Sequence, residues 1–131
     1  MELEHYYTNH IEWSRSTFGP IEDRTIDGVI EHLRKELDEV KEAGDKLARL
    51  KQGPPGSVNG MIALSNAYGD YSEEVADIII LALELANVLD VGATQLAATL
   101  VYKQDKNKER EWPALEDQEP GKPIEHIEKD D

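Results

Sequence analysis

Residues 73–86 read EEVADIIILALELA, and the fold turns on that stretch. From Val75 to Leu89 the chain is almost wholly apolar, yet Glu74, Asp77 and Glu84 sit inside the run or at its edge. A surface helix carries one apolar stripe. A helix that is apolar nearly all round is a central one, buried by its own chain and by a second subunit. At about 100° per residue, Glu74 and Asp77 share one side, with Asp70 and Glu73 in the preceding turn; Glu84 falls on that side too. The acids therefore form one stripe. An ionised carboxylate buried without a partner is costly, so the stripe needs a chemical reason.

Composition narrows the reasons. The chain has 131 residues, enough for one domain and one core. Its 28 acidic and 14 basic residues give a net charge of −14. Naked nucleic acid is a poor partner for such a chain, because binding needs a neutralising basic patch. A free nucleotide held through metal ions is compatible, since the metal brings the positive charge. The absence of cysteine excludes a disulfide scaffold and a thiolate metal site, and fits a reducing cytosol. No stretch is long and apolar enough to span a bilayer, and MELEHYYTNH lacks a signal-peptide pattern. The expectation is a soluble cytoplasmic protein without membrane or nucleic-acid partners.

Along the chain, residues 4–17 contain no Gly or Pro and predict a short helix that Gly19 and Pro20 end. Over residues 26–51, Ile26, Val29, Ile30, Leu33, Leu37, Val40 and Leu47 recur mostly at steps of three and four, an amphipathic helix with Asp23 or Thr25 as its cap. GPPGSVNGMIALSNAYGD then reads as a long connection, with MIAL as one anchoring turn. A second long helix is expected from Ser72, its N-cap, to about Asp90. A third is expected from about Ala93 to Glu111, stopped by Pro113. Residues 114–131 form an acidic tail, flexible or loosely docked. With no repeat and no alternating strand, the fold class is all-α, a small helical bundle.

The first long helix carries a matching set of acids. In HLRKELDEV, Glu36 flanks the Leu33/Leu37/Val40 stripe, with Glu39 and His32 further round the same flank; Lys35 and Asp38 point toward solvent. If the two long helices pack by their apolar faces, Glu36 and Glu39 confront Glu74 and Asp77. Four carboxylates in a cleft repel, and a hard divalent cation, Mg²⁺ or Mn²⁺ rather than zinc, resolves the conflict. The plain alternative is chance, since a chain this acidic holds about six pairs of acids three residues apart at random. Placement beside an all-apolar helix favours the metal. For Glu84, which lies far along the axis, pairing with Arg or Lys across a subunit interface is the stronger reading.

ELDE (36–39) followed by EVAD (74–77) resembles the E-x-x-E and E-x-x-D signature of the MazG-like, all-α nucleoside triphosphate pyrophosphohydrolases. WSRSTFGP (13–20), GVIEHLRKELDEV (28–40), EEVADIIILALELA (73–86) and KQDKNKEREWP (103–113) resemble, in that order, the phage and bacterial dATP/dGTP branch of that family. Residues 40–73 are a longer spacer than the family usually has. The resemblance implies a MazG-like domain over 1–113 ahead of the tail, and a homodimer or dimer of dimers in a bacterial or phage-infected cell. Its chemistry would be hydrolysis of a purine nucleoside triphosphate to monophosphate and pyrophosphate. Two or more Mg²⁺ ions, replaceable by Mn²⁺, would be held by Glu36, Glu39, Glu74 and Asp77. Glu36 or Glu39 would activate the water; the residues do not separate the two.

In the third helix Leu96, Leu100, Lys103, Asn107 and Arg110 follow at steps of three and four, turning from apolar to polar. The resemblance implies that Lys103 and Arg110 reach phosphates, with Lys106 in reserve, and that Asn107 bonds sugar or base; the alternative is a basic helix end complementing its dipole. It also implies that Thr17 and Phe18 line a base pocket, although aromatics at helix spacing such as Trp13 and Phe18 are more often core. His32 is either a group supporting the metal ligands or an ordinary surface side chain. Among purines, dGTP ranks slightly above dATP, with GTP open. Two other classes stay open: a nucleotide or metal sensor without turnover, and a helical interaction module.

Overall fold

The structure is a computed structural model that describes residues 2–53 and 56–128. It is all-α and bundle-like, with four helices and no strand among the described residues. They are α1 (Leu3–Phe18), α2 (Ile26–Gln52), α3 (Val58–Val88) and α4 (Ala93–Glu109), with short 3₁₀ turns at Ile21–Asp23 and Leu115–Asp117. The chain divides into two compact units, Met1–Ala93 and Thr94–Asp131.

In the first unit α2 and α3 pack along each other as an antiparallel pair. Their order is fixed by three meetings: Gly44 against the Tyr71 ring, Glu39 beside Glu74, and Arg24, just ahead of α2, on Glu84. α2 starts as the sequence suggests, with the Thr25 hydroxyl accepting the Gly28 N–H at 3.0 Å. α3 does not. It begins fourteen residues before Ser72, at Val58, where Ser57 Oγ accepts the Gly60 N–H at 3.2 Å. Ser72 is mid-helix and bonds back to the Tyr68 carbonyl at 2.8 Å. Gly60, Ser65, Asn66 and Gly69 lower helix propensity, which suggested a loop. Leu64, Ala67 and Tyr71, however, recur at helical spacing; Ala67 is buried and the Tyr71 ring sits against Gly44 of α2. Tertiary packing overrides weak propensity. The expected long connection is a short link between Gln52 and Val58.

α1 closes the far end of this pair. Tyr7, His10 and Ser14 lie on one face, all buried. The Tyr7 hydroxyl donates to the Val91 carbonyl at 2.7 Å. Glu84, 9 % exposed, lies at the centre of a buried polar cluster. One of its oxygens pairs with His10 Nε2 at 2.6 Å and the other accepts from Arg24 Nη1. Arg24 also donates to the Ser14 hydroxyl and carbonyl. Glu84 is thus satisfied by Arg24 of its own chain, which corrects the expected subunit-interface partner. The sequence hid this because Arg24 is sixty residues away. Burial pushes the Glu84 carboxyl up, but hydrogen bonds from Ser14 and His10 and the Arg24 charge outweigh it, leaving its pKa below the ordinary glutamate range.

In the second unit, α4 ends where the Trp112 indole N–H donates to the Asn107 carbonyl at 2.8 Å. The following segment turns back on it. The Ile127 N–H donates to the Glu111 carbonyl at 2.8 Å, and the His126 ring meets Trp112 edge-on, with centroids 5.9 Å apart.

Removing one partner of a buried ion pair strands the other. Glu84→Ala should therefore cost about 3 kcal/mol or more, while Glu31→Ala, which breaks an exposed pair with Arg34, should cost less than about 1 kcal/mol. Because the folded pKa of Glu84 is depressed, its contribution is present at neutral pH and is lost as pH falls through that pKa. Denaturant melts of both variants at pH 7 and in acid check this; equal losses would contradict the assignment of Glu84 as the anchor.

Candidate metal and nucleotide site

α2 presents Glu36 and Glu39 one turn apart, and α3 presents Glu74 opposite them. The three carboxylates each offer an oxygen, and these oxygens lie within 4.8 Å of one another. The apolar packing of the helix pair holds them there against their repulsion. Glu36 Oε2 and Glu74 Oε2 are buried without a hydrogen-bond partner among the described residues. The other Glu36 oxygen is 3.3 Å from His32 Nε2, so His32 supports a cluster member from the more exposed side.

The charges respond to this crowding. The Glu39 carboxyl is raised, first by its hydrogen bond with Glu36 and then by the Glu36 charge. Glu74 is raised by desolvation, then by the charges of Glu39, Asp77 and Glu73. Asp77 is therefore close enough to act on Glu74 but is not part of the close trio. Three converging hard oxygens, two of them with a buried orphan atom, suit an oxygen-loving divalent cation such as Mg²⁺ or Mn²⁺.

A cavity of about 440 Å³ runs from the trio along the helix pair. Glu39 and Glu74 stand at one end; Ala43, Ala67, the acids Glu42, Asp70 and Glu73 and the cations Lys46 and Arg49 line the rest. The sequence reading passed over Lys46 and Arg49. Their signal was spacing, since Glu39, Glu42, Lys46 and Arg49 follow at steps of three and four on one face of α2.

Phe18 and Thr17 end α1, both exposed. The Arg24 guanidinium lies 5.0 Å from the Phe18 ring centroid, and Trp13 meets that ring edge-on at 5.2 Å. Trp13 and Phe18 are thus a surface aromatic pair rather than core, resting on the Arg24–Glu84 cluster. Lys103, Asn107 and Arg110 belong to the second unit. There Arg110 Nη1 donates to Asn107 Oδ1 at 3.1 Å, and Lys103 is exposed.

No family model, curated protein or solved structure matches the chain.

A raised carboxyl stabilises the fold below its ordinary pKa and loses that contribution as pH rises through the raised value. Ionised Glu39 and Glu74 therefore weaken the metal-free protein at neutral pH. Mn²⁺ or Mg²⁺ should raise Tm at pH 7, and the gain should shrink as the pH is lowered into the range where these groups hold protons. Glu74→Gln should be at least as stable as wild type without metal and should lose the metal response. A Tm at pH 7 that ignores both ions would refute the metal reading.

Proposed function

We propose that the protein hydrolyses purine nucleoside triphosphates to monophosphate and pyrophosphate with the help of divalent cations. The observation that carries this reading is the Glu36/Glu39/Glu74 trio with its orphaned buried oxygens, on the residues of the E-x-x-E and E-x-x-D motifs. Glu36, Glu39 and Glu74 would hold Mg²⁺ or Mn²⁺, with Asp77 one turn along α3 as a further ligand. The cation supplies charge neutralisation for the phosphates and makes a water more acidic.

In this reading a water oxygen bonds to the α-phosphorus and the bond from that phosphorus to the bridging oxygen breaks, so that pyrophosphate leaves. Glu36 or Glu39 takes the water proton. Phe18 and Thr17 offer a surface on which a purine stacks. Among substrates, dGTP ranks slightly above dATP, with GTP open.

The working form is proposed to be a homodimer, or a dimer of such dimers. Val58, Met61, Ile62, Ser65, Gly69, Ser72, Ala76 and Ile79 form one uncharged side of α3, turned away from α2. Val58, Met61 and Ile79 are 72 %, 67 % and 52 % exposed. On a chain of charge −14, an uncharged stripe of apolar and small residues is where a second copy approaches with least repulsion and closest helix contact.

Incubation with Mg²⁺ and each of the common nucleotides, followed by product separation, tests the activity. Glu36→Gln, Glu39→Gln, Glu74→Gln and Asp77→Asn should each lower turnover by about a hundredfold or more. Asp38→Asn, on another face of α2, should change it little. Metal-dependent thermal protection by nucleotide without turnover would leave a sensor in place of an enzyme. Sedimentation should give a dimer or larger at micromolar concentration, and Met61→Glu with Ile79→Glu should shift it to monomer.

A further inference from the structure

The α2–α3 pair has a direction. At one end, Arg24 and Glu84 support Phe18. In the middle stand Glu36, Glu39 and Glu74. Beyond them, toward the link between Gln52 and Val58, the cavity is lined by Lys46 and Arg49. Neither cation makes an ion pair among the described residues. Arg49 acts only as a charge near Asp45, whose own pair is with Lys41 at 2.8 Å. Along α2, Lys46 lies about 10 Å and Arg49 about 15 Å past Glu39. Helical side chains lean toward the N-terminus of their helix, so both reach back toward the acids.

Resting on the pyrophosphohydrolase reading, we infer that Lys46 and Arg49 hold the β- and γ-phosphates and then the departing pyrophosphate. The nucleotide therefore lies with its base toward Phe18 and its phosphates toward residues 46–49. A triphosphate anchored at the acidic trio must extend to one side or the other; the cavity lies on the Lys46 side, where two cations line it, whereas on the other side Arg24 is committed to Glu84 and Lys35, whose charge reaches Glu39, stands outside the cavity. Glu42, Asp70 and Glu73 share this cavity. They make it hostile to a bare anion and hospitable to one already carrying divalent cations. Lys46 and Arg49 are thus binding residues for the metal complex of pyrophosphate. Arginine suits a phosphate through paired N–H donors, and lysine through a point charge.

The test titrates inorganic pyrophosphate, and separately deoxyguanosine monophosphate, into the full-length protein with Mn²⁺. Wild type is compared with the double variant Lys46→Ala/Arg49→Ala, with Lys46→Glu, and with Lys41→Ala as a control on the outer face. Helical content by circular dichroism confirms folding; both sites are exposed. Pyrophosphate binding should weaken about tenfold or more in the first two variants, with the monophosphate unchanged and Lys41→Ala like wild type. Unchanged pyrophosphate affinity, an equal loss for the monophosphate, or no pyrophosphate binding by wild type overturns the assignment. If wild type hydrolyses nucleotides and only the pyrophosphate result fails, the groove assignment falls alone. If pyrophosphate binding depends on Lys46 and Arg49 while no nucleotide is hydrolysed, the groove stands and the hydrolase reading falls.

Discussion

Like charges held at close quarters need a force to hold them, and here that force is apolar. Three carboxylates converge between α2 and α3 because Leu47, Ala67 and Leu81 are buried on either side of them and fix the rotation of both helices. Carboxylates on flexible loops would move apart. On two packed helices they cannot, and the strain appears as raised proton affinity at Glu39 and Glu74. The same rigidity that makes the acids costly makes them a preformed set of oxygens for a cation.

Two acids on the same helix meet opposite fates for reasons visible in their neighbours. Glu74 faces other acids and carries an orphaned oxygen. Glu84, ten residues on, faces Arg24, His10 and Ser14, and its charge is fully answered. The first arrangement stores an unsatisfied interaction that a ligand can use. The second closes the unit and gives α1 its position, which in turn sets Trp13 and Phe18 at the surface.

The helical class, the extent of α1 and α2, and the pairing of Glu36 and Glu39 with Glu74 were legible from apolar periodicity and carboxylate spacing. The start of α3 was not. Glycine and serine between 56 and 72 speak for a loop one residue at a time, and only the burial of Ala67 and the seating of the Tyr71 ring on Gly44 of α2 decide otherwise. Arg24 was illegible for a different reason: it lies in a short irregular stretch whose partner, Glu84, comes from a distant helix. Lys46 and Arg49 share the Glu39 face by spacing alone, and basic residues near a helix end also suit the helix dipole, so spacing does not single them out.

The length of the helix pair beyond the acids is set independently of the acids themselves. From Glu39 to the end of α2 is about 20 Å, and from the start of α3 to Glu74 about 24 Å. Any change in that span that keeps both helices in phase, such as removing two turns from each, leaves the carboxylates facing one another. Phase, rather than distance, is what the centre depends on. The arms can therefore lengthen or shorten in paired steps, changing the length of the groove without disturbing the meeting of Glu36, Glu39 and Glu74.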